Sequence, residues 1–186
     1  MAQMDKPADL SGEILDLLNE MGEVIGQVSR SDVHGNPLLR HRAVHILVRN
    51  HEGEIFLQKR APGKLIQPGK WDSSCGGHIP AGESWENGAL RELEEELGLK
   101  LPDSTFLIFS HEYWWVTGIE SELVRTYLTI SEGPFTLESQ EISDGRFWTT
   151  SELQSSAGKD ILTPNLEEEL RRIGILKQKG PQPING

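Results

Sequence analysis

The 186-residue sequence has a single cysteine, Cys75, so no disulfide can form within the chain and a reducing compartment suits it. It has no long apolar run. Its apolar stretches, such as Ala43 to Val48 and Phe106 to Phe109, fall far short of the roughly 20 residues a membrane-spanning helix needs. Met1 to Leu10 carries Asp5, Lys6 and Asp9 and lacks the hydrophobic middle of a secretory signal. The expected location is therefore the cytoplasm, with no membrane partner. Positive charge is also scarce: 18 Lys and Arg stand against 29 Asp and Glu, a net charge of −11. That field repels nucleic-acid polymers, and no basic patch along the sequence reverses it. A small anionic substrate stays compatible with such a chain when a divalent cation bridges it to carboxylates, so metal dependence is expected from charge alone.

What is present fits one globular domain over residues 12–176, with flexible tails at 1–11 and 177–186. Two apolar runs, Ile14 to Leu18 and Val24 to Val28, flank the turn signal Asn19-Glu20-Met21-Gly22 and predict a hairpin. A second hairpin is predicted for His41 to Val48 and Glu54 to Lys59, joined through Asn50-His51-Glu52-Gly53. Gly and Pro punctuate Pro62 to Gly82, which reads as a long loop with at most a short strand near Trp71 to Ser74. Ser84 is placed to cap a helix running through Leu97, with Gly98 at its left-handed C-terminal cap. Strand-like runs follow at Thr105 to Phe109, Tyr113 to Val116, Leu123 to Ile130 and Arg146 to Thr149. A last helix is predicted for Asn165 to Ile173, opened by Pro164. Strands mixed with helices indicate an α/β layered domain around a mixed sheet.

The helix after Ser84 carries the chemistry. At about 100° per residue, Glu92, Glu95 and Glu96 share one side, while Leu90, Leu93 and Leu97 share another. Like charges at i,i+4 cost on the order of 0.2–0.5 kcal/mol per pair, and Arg91 alone cannot neutralise three carboxylates. A divalent cation resolves the conflict, and hard oxygen ligands suit Mg²⁺ or Mn²⁺.

Gly77, Glu83, Arg91, Glu92, Leu93, Glu95, Glu96, Gly98 and Leu99 satisfy the pattern G-x5-E-x7-R-E-U-x-E-E-x-G-U, where U is a bulky aliphatic residue, at all nine defined positions. This segment resembles the Nudix box. The resemblance implies the Nudix α/β/α sandwich around a mixed sheet, here with an N-terminal β-hairpin, and a loop–helix–loop metal site. It also implies metal-dependent hydrolysis of a nucleoside diphosphate linked to some other moiety. Carried over position by position, Glu92, Glu95 and Glu96 become metal carboxylates, the Gly76 carbonyl a further ligand, and Arg91 and Glu83 their supports. The general base falls among Glu92, Glu96 and a late acid, Glu141, just ahead of a strand.

The similarity extends beyond the box. His34, His41, His78, Glu120 and Glu122 resemble the three histidines and two glutamates that bind a metal in type 1 isopentenyl-diphosphate isomerases, which share the Nudix fold. Leu57-Gln58-Lys59-Arg60 and Gly69-Lys70-Trp71 also resemble that branch. Such a set suits Mn²⁺, Zn²⁺ or Mg²⁺. Two departures count against isomerase chemistry. Gly76 stands where the isomerases carry a cysteine, with Cys75 one residue earlier and expected to face the other way. Thr163-Pro164-Asn165 stands where they carry a late tryptophan. A third reading, a nucleotide-sensing module without turnover, would be expected to have lost a box glutamate. Hydrolysis of a small soluble diphosphate is thus the leading expectation. Arg60, Lys59 and Lys70, with Lys64, are candidate phosphate contacts; Tyr113, Trp114 and Trp115 are candidates for stacking on the substrate or for sheet packing. The family resemblance also makes a homodimer an expectation.

Overall fold

A computed structural model describes residues 12–178, so the expected tail at 1–11 and most of that at 177–186 lie outside the described residues. The first hairpin forms as its turn signal predicts. Strands β1 (Ile14–Leu18) and β2 (Val24–Ser29) pair antiparallel from Ile14↔Ser29 onward. The Asn19 side-chain oxygen closes the turn by accepting from the backbone N–H of Met21 and Glu23. One helical turn, α1 (Arg30–Val33), capped by Ser29, leads into the main sheet.

That sheet is built on β3 (His41–Arg49). The second predicted hairpin is present, but its pairing is confined to its base: β4 (Ile55–Arg60) meets β3 at Arg49↔Ile55 and then diverges. The segment expected as a loop holds β5 (Trp71–Asp72), near the place anticipated, and also β6 (Cys75–His78), which was not. Two adjacent glycines argue against a strand there by propensity. The edge of β3 vacated by β4 supplies partners regardless, from Ala43↔His78 to Ile46↔Cys75.

After β6 comes α2 (Trp85–Leu97), with Ser84 and Gly98 as its caps, as the sequence predicts. The run expected as a strand from Thr105 opens instead as a 3-10 turn, Ser104–Phe106, because the Asp103 carboxylate captures the Thr105 N–H. The end of that run merges with the next, Tyr113 to Val116, into one strand, β7 (Ile108–Val116). This pairs antiparallel with β8 (Ser121–Ile130), which lies parallel to β3 from His41↔Glu122 to Arg49↔Ile130. Strand β9 (Ile142–Trp148) pairs with β4. Helix α3 (Thr150–Ser156) was not anticipated, although Thr149 and Glu152 form the T-x-x-E capping box that announces it. Helix α4 (Pro164–Arg172) closes the described chain under a Thr163 cap. Gln178 Nε2 donates to the Arg171 carbonyl at 3.0 Å.

Strand alternation sorts the sheet into two faces. Val44, Ile46, Val48, Cys75 and Tyr127 pack under α2 with Ala89, Leu93 and Leu97. Leu47, Ile55, Leu57 and Trp148 pack with Leu153, Leu166 and Leu170 of α3 and α4 on the opposite face. Helices thus cover both faces of a mixed sheet. Full burial of Leu93 and Leu97 contributes on the order of 3–6 kcal/mol, against a few tenths lost to repulsion between Glu92 and Glu96, so packing decides that the acidic helix holds. No helix among the described residues is long and apolar enough to cross a membrane.

Candidate active site

The box residues gather around Arg91. Its Nη1 donates to Glu92 Oε1 at 2.7 Å and to Glu95 Oε2 at 3.0 Å. Its Nε and Nη2 donate to the two oxygens of Glu83 at 3.3 and 3.1 Å, and Nη2 also reaches the His78 carbonyl at 3.1 Å. One guanidinium therefore fixes three carboxylates and the end of β6. Glu96 turns inward, and its Oε2 accepts from the Gly76 N–H at 3.2 Å and from Gln58 Nε2 at 3.0 Å. The glycine at 77 is a steric requirement: a Cβ there would lie 2.3 Å from Glu92 Oε1 and 2.5 Å from its Cδ. The Gly76 amide and the Glu92 and Glu96 side chains consequently crowd one small volume, with Glu95 at its exposed rim.

Burial and mutual repulsion show in the acidities. Burial, then Glu92, pushes Glu96 up to about 8, and burial also raises Glu92 against the pull of Arg91. Carboxylates this reluctant to ionise together are what a divalent cation would relieve, so these residues fit a metal ion. Glu141 sits in the turn before β9, as expected, with its carboxylate hydrogen-bonded by Lys64 and close enough to act on Glu96.

A prediction follows for the protein in EDTA. Glu96 is raised above its ordinary 4.5, and His45 is raised from 6.5 to about 9 by the Glu169 carboxylate, which overcomes burial. Each favours the protonated form when folded. Their stabilising contributions are complete below the unfolded values and vanish as pH rises through about 8 and about 9. The melting temperature in EDTA should fall by several degrees between pH 6 and pH 9. Mg²⁺ should restore the Glu96 part alone. A flat profile, or a fall unaffected by Mg²⁺, would contradict this account.

The second constellation assembles on the other face of the sheet. His41, His78 and Glu122 present ligand atoms within 4.8 Å of one another. The His34 ring stands 5.9 Å from that of His78, and Glu120 is held by Trp115 Nε1 at 3.2 Å, but neither belongs to the group whose ligand atoms converge within 4.8 Å. His41 Nδ1 lies 3.1 Å from the Leu39 carbonyl. Its Nε2, buried and without a hydrogen-bond partner, lies 3.5 Å from Glu122 Oε1. An orphaned buried ring nitrogen beside a carboxylate fits a divalent cation, and a carbonyl-anchored imidazole is the usual support of a metal ligand. Burial alone would raise Glu122, but His41 and His78 hold it well below the carboxylate range. His78 is also held low, because burial, His41 and Arg30 outweigh Glu122.

The candidate phosphate contacts are less concentrated. Arg60 is anchored by Asp72 at 3.1 Å and by the Ile66 carbonyl, and it pulls weakly on Glu120, which burial and Glu122 nonetheless raise. Lys70 pairs with Asp160, and Lys59 lies over the Trp71 ring; neither is brought to the histidines or to the box. Tyr113 belongs to the sheet packing, its hydroxyl donating to Asn165 and, at 3.3 Å, to Glu169. Cys75 is fully buried under α2, facing away from His78 as expected. Sequence reasoning missed His45 and Glu169, joined at 2.8 Å, for which the only available signal was two polar residues at core positions.

A model of the NUDIX domain matches residues 39–168. An uncharacterised Nudix hydrolase of Streptomyces coelicolor is 34% identical over 170 residues, covering 87% of this chain and 88% of its own. An isopentenyl-diphosphate Delta-isomerase of Streptomyces avermitilis is 31% identical over 150 residues, covering 79% and 76%. Among solved structures, the crystal structure of DR0079 from Deinococcus radiodurans superposes with a TM-score of 0.69 at 30% identity, covering 86% of this chain and 98% of that one.

Proposed function

Since this chain belongs to the Nudix family, we infer that it is a Mg²⁺- or Mn²⁺-dependent hydrolase that cleaves a diphosphate linkage in a small organic substrate. Nudix hydrolases as a group act on such linkages. The observation that carries the reading here is the Arg91 clamp, which holds Glu83, Glu92 and Glu95 beside a half-buried Glu96. Glu92, Glu95, Glu96 and the Gly76 carbonyl would hold one ion; His34, His41, His78, Glu120 and Glu122 would hold a second. The chemistry such ions supply is charge compensation on the diphosphate oxygens and a lowered pKa for attacking water.

The chain's own groups do the rest. Arg91 keeps the carboxylates in place by charge-assisted hydrogen bonds. Arg60, fixed by Asp72, offers a cation to a phosphoryl oxygen. Of the three candidate bases, Glu141 is occupied by Lys64 and Glu92 by Arg91. Glu96 is left as the candidate with no basic side chain bonded to it, its oxygen accepting only from Gln58 and the Gly76 N–H.

The similarity to an isomerase makes isopentenyl diphosphate the informative control. Incubation with nucleoside triphosphates, nucleotide sugars, dinucleoside polyphosphates and NADH, each with Mg²⁺ or EDTA, is expected to release a monophosphate or pyrophosphate from at least one compound. That release should require metal. Isopentenyl diphosphate should yield no dimethylallyl diphosphate. No phosphate product from the whole panel, together with Cys75-dependent dimethylallyl diphosphate, would reverse the assignment.

A further inference from the structure

A cavity of about 260 Å³ opens where the end of β7 meets the segment leading into α4. Trp115 forms one wall, and Leu162 and Pro164 supply the rest of its apolar lining. Trp115 stands directly across from Glu122 in the β7–β8 pairing, so the two side chains share the sheet face that carries the histidines. Its indole Nε1 donates to Glu120 Oε1 at 3.2 Å. The aromatic wall of the cavity therefore adjoins the histidine set. On the α4 side, Thr163 lies between Leu162 and Pro164 and donates through Oγ1 to Asp72 at 2.7 Å, and Asp72 holds Arg60. Residues of the proposed site thus flank the cavity on both sides.

Its charged lining consists of acceptors. Among the described residues no lysine or arginine lines the cavity, and its ionic groups are Asp160, Glu167 and Glu168. Glu167 is occupied by the Gly158 N–H and by Arg171, both at 2.7 Å. Asp160 and Glu168 each give one oxygen to a cation, Lys70 and Arg172, which leaves the other oxygen of each without a donor among the described residues. A phosphoryl group would meet like charge here, and a saturated hydrocarbon chain would desolvate the carboxylates without compensating them. A flat ring that stacks on Trp115 and carries N–H donors at its edge suits both surfaces. We infer that this cavity is the subsite for the group attached to the diphosphate, and that the group is a nucleobase with an exocyclic amino group, stacked on Trp115 and read by the free oxygens of Asp160 and Glu168. The inference rests on the reading of the chain as a hydrolase of diphosphates.

The test uses the full chain at saturating Mg²⁺ and titrates uncleavable probes: methylenediphosphonate, and the α,β-methylene diphosphates of adenosine and uridine. The adenosine probe is expected to bind roughly tenfold or more tighter than methylenediphosphonate, the size of one base stacked on an aromatic side chain. It should also bind about fivefold tighter than the uridine probe, whose ring presents a carbonyl where adenosine presents an amine. Trp115→Leu should remove the gain of both nucleoside probes and leave methylenediphosphonate affinity unchanged, a readout that separates stacking from the hold of Trp115 on Glu120. The double variant Asp160→Asn, Glu168→Gln leaves Trp115 in place and should erase the preference for adenosine over uridine. Asparagine suits position 160, where φ is +62°. Nucleoside probes that bind no better than methylenediphosphonate, or a gain and a base preference that survive in both variants, would overturn the subsite and leave the hydrolase reading standing. Failure of methylenediphosphonate to bind in the presence of Mg²⁺ would instead strike the diphosphate reading, and the subsite would fall with it.

Discussion

The Glu95→Gln, Glu96→Gln double variant is expected to lower kcat by a hundredfold or more, about 3 kcal/mol of transition-state stabilisation, while the fold survives. The amides keep the size of the side chains. At position 96 the carbonyl oxygen of the new amide can still accept from the Gly76 N–H and Gln58, where Glu96 now does so at 3.2 and 3.0 Å. What disappears is charge: two of the three candidate metal carboxylates on the helix, and with them the proposed proton acceptor. Because Glu96 resists ionisation in its half-buried site beside Glu92, a neutral isostere should leave melting in EDTA at neutral pH unchanged or raised. Initial rates on whichever compound of the panel is cleaved, together with thermal melts, read both effects. A folded double variant with full activity would eliminate the helix carboxylates from the mechanism.

Gly76→Cys, which restores the residue found in the isomerase branch, should damage the fold without creating an isomerase. Its Cβ would lie 2.6 Å from His45 Cδ2 and 2.8 Å from the Val44 carbonyl oxygen. Neither neighbour yields easily. Val44 is in the middle of β3, paired on both sides with β6 and β8, and His45 is tethered to Glu169. Overpacking of this kind typically costs about 1–3 kcal/mol. For a chain of this size each kcal/mol corresponds to roughly 2–4 °C in melting temperature. The expected result is a melting temperature lowered by several degrees and no conversion of isopentenyl diphosphate. An undiminished melting temperature with dimethylallyl diphosphate formed would mean that His45 moves aside and that the site is closer to an isomerase than its geometry indicates.

The same residue illustrates how far sequence carries. Gly76 could be recognised as the isomerase cysteine's position by alignment to a motif, and the absence of a thiol was evident. That His45 occupies the space in question was not, since the two residues are far apart in the chain and meet only because β6 pairs with β3. Likewise the Nudix box is a local signal: one helix with fixed caps places Arg91, Glu92, Glu95 and Glu96 by its own geometry, and the structure adds chiefly which oxygen each donor meets. The five-residue histidine set depended on resemblance, because its members lie on α1's exit, β3, β6 and the start of β8.

Periodicity, caps and turn chemistry are interactions within a few residues, and they determined the first hairpin, α2, α4 and the carboxylate face before any fold was known. Three things needed the tertiary structure: the strand at Cys75–His78, the closing of His41, His78 and Glu122 to within 4.8 Å, and the buried His45–Glu169 pair. Each joins segments distant in sequence, and long-range pairing follows from which strand edge is left free and which face a helix covers. A glycine-rich strand carries no propensity of its own, and a buried glutamate looks like any surface acid until its partner arrives from 124 residues away.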